Sequence, residues 1–332
     1  MSTARRTAFL STLVIGAAVA VLAVWPQLIG AQRMLGIAQL IPFRGLLALT
    51  FAVLAVVAGI FAVLRRRWSV AAALAIVLAA ASLGNGAVLL SRGFGASATE
   101  GDLVVASWNT YGGAASPQSI ARLVRETGAE VVVLPETDEV AAASVVSLLA
   151  GDGIGMTAAT RQADPGDDPV PTSLLIAESM GPYALDETAG STPGVPSGVY
   201  RPVNGDGPTI VAAHPLPPLP LIMRDWTDGM DWVAMRCSGA QVILAGDLNS
   251  TLDHLAGLGD GEATVGGCRD AAAEAGAAAL GTWPVRLPTG FAAPIDHVLV
   301  GSAWDVRSFE VRTDFDDAGS DHRPIVATLS RR

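Results

Sequence analysis

Residues 8–25, 45–64 and 70–91 are three apolar runs without a single charged side chain. Each has about the 20-residue length that a helix needs to cross the hydrocarbon core of a bilayer. Backbone amides find no water there, so such segments must be helices that satisfy their own hydrogen bonds. The two later runs lack the polar face that a helix lying on a soluble core presents to water. A cleaved signal peptide accounts for the first run alone, because Arg5 and Arg6 precede it and Ile29, Gly30 and Ala31 offer small residues. It leaves the two later runs unexplained. The expectation is a helical membrane region over 1–91, a Gly/Ala/Ser-rich linker at 92–101 and one further domain at 102–330.

Charge divides the chain at the same place. Residues 1–99 carry eight Arg and no acid, whereas the rest holds all 31 acids against 13 Arg, so 13 − 31 = −18. The chain has no Lys. Arg5 and Arg6 precede the first run, and Arg65, Arg66 and Arg67 separate the second from the third. The positive-inside rule puts both groups in the cytoplasm. The segment 26–44, with Arg33 and Arg44, then lies outside, and three crossings leave everything after residue 91 outside as well. The reading is a multi-pass cell-membrane protein with a cytoplasmic N-terminus and an extracytoplasmic domain. Cys237 and Cys268 both fall in that domain. An oxidising compartment permits a disulfide between them, and a pair of free, half-buried thiols is the alternative. No His or further Cys stands nearby at the spacing of a metal site.

Beyond the linker, 102–107 reads as a buried strand. Ser116 and Pro117 open a helix that Gly128 ends, with Ile120, Leu123 and Val124 on its apolar face. Further strands are expected at 130–134, 172–177, 208–213, 241–245, 295–300, 304–312 and 324–329, and helices at 140–149 and 221–236. Such an order points to a mixed sheet with helices packed on it. A Gly/Pro/Asp-rich stretch between 177 and 208 has no assignment.

Polar residues recur at the ends of these strands. Trp108-Asn109 follows the first and Pro135-Glu136 the second; His214-Pro215 follows the strand near 209. Gly246-Asp247-Leu248-Asn249 follows 241–245, Asp296-His297 interrupts 294–300, and Ser320-Asp321-His322-Arg323-Pro324 precedes the last strand. Polar groups at buried strand ends cost several kcal/mol unless they are paired or bind a metal. Taken singly, each has an ordinary explanation: Asx residues close turns, and a lone His or Glu is often a solvated loop residue. Six in this order are hard to explain by folding alone.

In content and order these motifs resemble the endonuclease/exonuclease/phosphatase superfamily, over roughly 102–330. The resemblance implies a four-layer α/β sandwich, with two mixed β-sheets face to face and helices outside. It also implies metal-assisted hydrolysis of a phosphate ester. Mg²⁺, or Mn²⁺ in its place, suits the oxygen-rich set. Glu136 is then the direct metal ligand, with Asn109 and Asp321 completing or orienting that shell. Asp247 takes a proton from the attacking water, and Asn249 holds that water or the phosphate. His214 and His322 donate to phosphoryl oxygens, and Asp296 orients and charges His322. Two departures stand out. Leu134-Pro135-Glu136 replaces the Leu-Gln-Glu of many members, and no carboxylate is identifiable behind His214. His254 and His297 are expected to be structural, the latter on the opposite face of its strand from Asp296. Trp283 is placed at the substrate entrance or in the core, and Tyr111 and Arg201 are weaker phosphate contacts.

Charge bears on the substrate. Duplex binding normally uses several Lys and Arg against phosphates, and this acidic domain has no basic run. A small phosphodiester or a lipid headgroup at the anchoring bilayer is favoured, and nucleic acid is less expected as a partner. The uncharged segment 215–223 after His214 either contacts lipid or packs on its own domain. The alternatives are an extracytoplasmic nuclease of the same fold and a non-catalytic, membrane-anchored binding protein.

Overall fold

The structure, a computed structural model, describes residues 3–64, 70–95, 99–164, 170–205 and 207–332. The chain divides into two compact units, residues 1–92 and 93–332.

The first unit is helical: α1 (Thr3–Val24), α2 (Ile37–Leu40), α3 (Arg44–Leu64) and α4 (Val70–Arg92). Each of the three uncharged runs became one long helix, and α1, α3 and α4 are long and apolar enough to cross a membrane. Val14, Ile15, Val57, Ile60, Leu83 and Leu90 are exposed on them, as lipid-facing residues are. Small residues let α1 and α4 approach closely: a Cβ on Gly84 would lie 2.8 Å from Val24 Cγ1. Arg65, Arg66, Arg67 and the side chain of Arg5, on which the orientation rests, lie outside the described residues, as do 96–98 of the linker.

Arg44, the last residue of the 26–44 segment, has a structural role. It opens α3 and is buried, with Nη1 donating to Asn85 Oδ1 (2.8 Å) and Nη2 to the Val24 carbonyl at the end of α1 (2.9 Å). One guanidinium thus joins all three long helices and satisfies a carbonyl that α1 leaves without an intrahelical partner. Asn85→Leu is expected to cost the helical unit about 1.5–3 kcal/mol, the usual value of a hydrogen bond to a charged group. A detergent-unfolding midpoint equal to that of the wild type would contradict this.

The second unit runs β1 (Leu103–Ser107), α5 (Pro117–Thr127), β2 (Val131–Pro135), α6 (Glu139–Gly151), β3 (Met156–Arg161), β4 (Thr172–Ala177), β5 (Tyr183–Leu185), β6 (Gly198–Pro202), β7 (Ile210–Ala213) and α7 (Met223–Arg236). It continues with β8 (Ile243–Asp247), α8 (Leu252–Leu255), β9 (Leu258–Gly259), β10 (Val265–Gly266), β11 (Arg269–Asp270), α9 (Ala271–Glu274), β12 (Asp296–Val300), β13 (Trp304–Val311) and β14 (Ile325–Arg331). One sheet has the order β13-β14-β1-β2-β4-β3 and the other β11-β12-β8-β7-β6-β5. β1/β2 and β7/β8 are parallel and their other neighbours antiparallel, so both sheets are mixed.

Strand alternation builds the layers. Val105, Val131, Val133 and Leu174 face inward and meet Ile210, Ala212, Ile243, Ala245 and Val298 of the other sheet. The intervening Ala106, Val132, Leu134 and Leu175 face outward, under Ile120, Leu123 and Val124 of α5 and Ala142, Val145 and Leu149 of α6. α7 buries Trp226, Met230 and Val233, and Trp226 Nε1 donates to Ser250 Oγ just past β8. The result is the expected α/β sandwich. α5 ends where its residues dictate: Ser116 Oγ accepts from the Ser119 amide, Pro117 occupies the first turn, and Gly128 takes φ 66. α7 begins at Met223 rather than 221, with Ile222 at φ −125 just outside it, and Pro215, Pro217, Pro218 and Pro220 keep 215–220 out of a helix.

β3, β5 and β6 have no counterpart among the expected strands. β3 is an edge strand paired only with β4 and largely solvent-facing, so it lacks the apolar alternation that marks a half-buried strand. Cys237, which caps α7, is disulfide-bonded to Cys268 beside β11, with Cα atoms 5.5 Å apart.

Candidate active site

β1, β2, β7 and β8 all end at one edge of the sandwich. β12 and β14 run antiparallel to β8 and β1 and therefore start there, with Asp296 opposite Asp247 and Ile325 opposite Ser107. This topology alone gathers the loops carrying Asn109, Glu136, His214, Asp247, Asp296 and His322. Among the described residues, the non-glycine residues at positive φ are Tyr111 (54°), Glu136 (62°) and Asn249 (47°), all at this edge. Such backbone costs energy for Glu and Tyr, and it persists where surrounding bonds hold it. Here the Gly112 amide donates to Glu136 Oε2 (2.8 Å) and Thr110 Oγ1 to the Glu136 carbonyl (2.9 Å).

Asn109 Nδ2 bridges two acids, lying 3.0 Å from Glu136 Oε1 and 3.0 Å from Asp247 Oδ2. Its Oδ1 accepts from the Tyr111 amide (2.9 Å), so Asn109 turns its donor side to the acids. Asp247 is buried; its Oδ1 accepts from the Asn249 amide (2.8 Å). Its Oδ2 lies 3.7 Å from His322 Nε2 and 3.9 Å from His214 Nε2. Gly246 permits this packing: a Cβ there would lie 1.8 Å from the Ala213 carbonyl oxygen of β7. Asn249 Nδ2 donates to the Pro215 carbonyl (3.0 Å), tying the loop after β7 to the loop after β8.

The two site histidines differ in charge state. His322 Nδ1 lies 2.9 Å from Asp296 Oδ2. Burial disfavours the imidazolium, but the charges of Asp296 and Asp247 and the Asp296 hydrogen bond outweigh it and raise His322 to about 9. His214 is equally buried, and its Nδ1 has no hydrogen-bond partner. Burial, then the neighbouring His322 charge, push it down to about 3, so it is neutral. The carboxylate missing behind His214 in the sequence is missing in space too, among the described residues. Asp247 is pushed up to about 7 by burial and by Asp296, against the pull of His322. Environments that separate the proton affinities of neighbouring groups are characteristic of acid–base sites.

Asp321 sits at the rim of this group, its Oδ1 3.9 Å from His322 Nε2 and its Oδ2 accepting from Trp283 Nε1 (2.8 Å). Two buried carboxylate oxygens, Asp296 Oδ1 and Asp321 Oδ1, have no donor. One ligand atom each of Asp247, Asp296 and His322 lies within 4.8 Å of the others. Converging acids with unpartnered oxygens suit a hard divalent cation.

Trp108, Ser320 and Trp283 were named in the sequence without the supporting bonds that the structure gives them. Trp283 anchors Asp321 and stands 6.4 Å from the His322 ring. Ser320 Oγ donates to the Asn109 carbonyl (2.6 Å) and accepts from the His322 amide (3.0 Å), and Trp108 Nε1 donates to the His322 carbonyl (2.9 Å). Their signal was adjacency to motif residues, which carries no direction. Arg201 is not at the site: it pairs with Asp186 (2.8 Å) and Thr209. His297 faces away from Asp296 and is held by Asp270 (2.7 Å) and the Ser250 carbonyl (2.8 Å). His254, expected in a loop, is buried in α8, where the Thr251 amide donates to its Nδ1 (3.0 Å).

The profile of the Endonuclease/Exonuclease/phosphatase family matches residues 106–322, from within β1 to the site histidine His322. The chain belongs to this family. A family structure from Beutenbergia cavernae DSM 12333 superposes with TM-score 0.50 at 20% identity, over 70% of this chain and 72% of that one. Humanized D. rerio TDP2 superposes with TM-score 0.50 at 17% identity, over 68% and 98%. D. rerio TDP2 complexed with single-strand DNA product gives 0.50 at 16%, again over 68% and 98%. At these identities the structural likeness carries the fold alone. A search of curated proteins returned no match. Family members are divalent-metal-dependent phosphoester hydrolases, and this chain is an enzyme of that class.

The Asp296–His322 pair has a measurable property. Asp296→Asn removes the charge that most raises His322, so the imidazole is expected to titrate well below 9. NMR titration of the labelled imidazole checks this, and an unmoved midpoint would count against it.

Proposed function

We propose that the protein is a membrane-anchored phosphoesterase that uses Mg²⁺, or Mn²⁺ in its place, and acts outside the cytoplasm on a lipid headgroup or small phosphodiester. The observation that carries the reading is the convergence of Glu136, Asn109, Asp247, His214 and the Asp296–His322 pair at one edge of the sandwich. Glu136, with Asp321 beside it, would hold the cation, and Asn109 would orient Glu136 through Nδ2. The cation, when bound, neutralises phosphate charge and stabilises the leaving oxygen.

The side chains divide the remaining work. Asp247, held by the Asn109 and Asn249 hydrogen bonds, accepts a proton from the attacking water. His322, kept charged by Asp296, donates from Nε2 to a phosphoryl oxygen as negative charge grows there. His214 is neutral and donates from Nε2 without adding charge. Asn249 fixes the loop that carries His214 and positions the water.

The substrate and compartment rest on charge and topology. A net −18 over residues 100–332 and the absence of Lys disfavour duplex DNA. Arginine placement supports a second unit outside the cytoplasm, and the Cys237–Cys268 disulfide supports an oxidising compartment. The second reading is a nuclease, in line with the DNA-bound TDP2 of similar fold. The test is a phosphoester panel on the purified full chain, with lipid phosphodiesters, soluble phosphodiesters, phosphomonoesters and nicked-plasmid detection. We expect Mg²⁺-dependent, EDTA-sensitive turnover of lipid or small phosphodiesters and no plasmid nicking. Efficient nicking would favour the nuclease, and no turnover in any arm would overturn hydrolysis.

A further inference from the structure

We propose that the loop between β7 and α7 contacts lipid and seats the mouth of the site on the surface of a bilayer. The loop has a fixed root and a bare tip. At the root, Pro215 is buried and its carbonyl accepts from Asn249 Nδ2 (3.0 Å). Leu216 packs against Gly194, where a Cβ would lie 2.5 Å from Leu216 Cδ1. At the tip, Leu219 is 52% exposed and Leu221 98%. Among the described residues of the second unit, these are the leucines left exposed. A lone exposed leucine is ordinary, but two of them two residues apart on an uncharged loop make a continuous apolar tip.

The tip is also preset. The Leu219 amide donates to the Pro217 carbonyl (2.8 Å) and the Ile222 amide to the Leu219 carbonyl (3.0 Å). Pro215, Pro217, Pro218 and Pro220 lock φ at four positions. Inserting such a loop orders little that is not already ordered, which is the advantage of preorganisation.

Several observations commit the partner to a lipid surface. Residues 215–223 hold no charge, so nothing opposes entry into an apolar phase. Arg224, next in the chain, has a side chain 91% exposed and only loosely paired with Asp228 (3.7 Å), so it can reach a headgroup phosphate while the leucines lie deeper. The same chain carries three helices long and apolar enough to cross a membrane, so a bilayer is at hand. The domain's −18 charge favours zwitterionic over anionic lipid. The loop starts one residue after His214, and exposed Tyr111 and Val140 flank the same edge. Apolar contacts there fit a phosphate ester held in a membrane; this consequence, but not the lipid contact itself, rests on the phosphoesterase reading.

The experiment labels the loop in the full chain reconstituted into phosphatidylcholine vesicles. With Cys237 and Cys268 bonded to each other, Leu221→Cys supplies one thiol for an environment-sensitive fluorophore. Val203→Cys, 60% exposed past the far end of β6, is the control. We expect nitroxide-labelled lipid to quench the dye at 221 and aqueous iodide to quench it at 203. Iodide quenching at 221 equal to that at 203 would overturn the proposal, and so would equal lipid quenching at both. In parallel, Leu219→Asp with Leu221→Asp is expected to lower the ratio of vesicle-borne to soluble phosphodiester turnover about tenfold. An unchanged ratio would also overturn it. If the wild type hydrolyses nothing, the phosphoesterase reading fails while the quenching result still decides the lipid contact.

Discussion

Asp247→Asn is expected to lower kcat by about 10²–10⁴, the contribution of a well-placed general base, without loss of fold. Asparagine keeps the shape and the oxygen that accepts the Asn249 amide, but it takes no proton from water. The same substitution is expected to leave metal-free stability at pH 8 equal or higher. Burial pushes the Asp247 carboxyl up to about 7 in the folded chain, whereas an unfolded Asp releases its proton near its ordinary value. Between those two values the folded state binds more protons than the unfolded state. Stability from this group therefore falls as pH rises through that window, and above it the charged carboxylate is a net cost. Removing the charge removes the cost. Such a site trades stability for chemistry, as strained functional sites do. The checks are steady-state kinetics with Mg²⁺ and thermal unfolding in EDTA. Retained kcat would remove Asp247 from the proton-transfer role. A large drop in unfolding temperature would mean that the residue supports the fold instead.

Replacing both Cys237 and Cys268 with Ser is expected to cost about 4 kcal/mol, the chain-entropy value for a closed loop of this length. The bridge spans a sequence separation of 31 residues and both cysteines are buried. It ties the C-terminal end of α7 to the segment entering β11, on the sheet that carries His214, Asp247 and Asp296. For a domain of this size the cost corresponds to roughly 8–15 °C in unfolding midpoint. Reductant should move the wild type by a similar amount and leave the double variant unmoved. A wild type indifferent to reductant would remove the disulfide from the stability of the folded domain.

Legibility differed between the two units. Membrane-length helices announce themselves because a bilayer tolerates no charge over some 20 residues, and α1, α3 and α4 fall on the uncharged runs. What the runs do not reveal is Arg44, whose guanidinium finds partners from two other helices. In the second unit β1, β2, β7, β8 and β12 were legible because buried strands are short apolar runs, whereas the exposed edge strand β3 was not.

The six motifs were legible as residue types placed at strand ends, and that much the sequence determined by itself. Their joint meaning needed the topology. Antiparallel pairing of β12 with β8 and of β14 with β1 turns strand beginnings and strand ends toward one edge, setting Asp296 opposite Asp247. Only folding decides that His322 faces Asp296 and becomes charged while His214, as deeply buried, faces no carboxylate at Nδ1 and stays neutral. Residue type sets which protons a group can hold. Burial, and for His322 the carboxylates brought to within 3–4 Å, decide which ones it does hold, because desolvation and charge interaction in a dry interior outweigh the intrinsic preference.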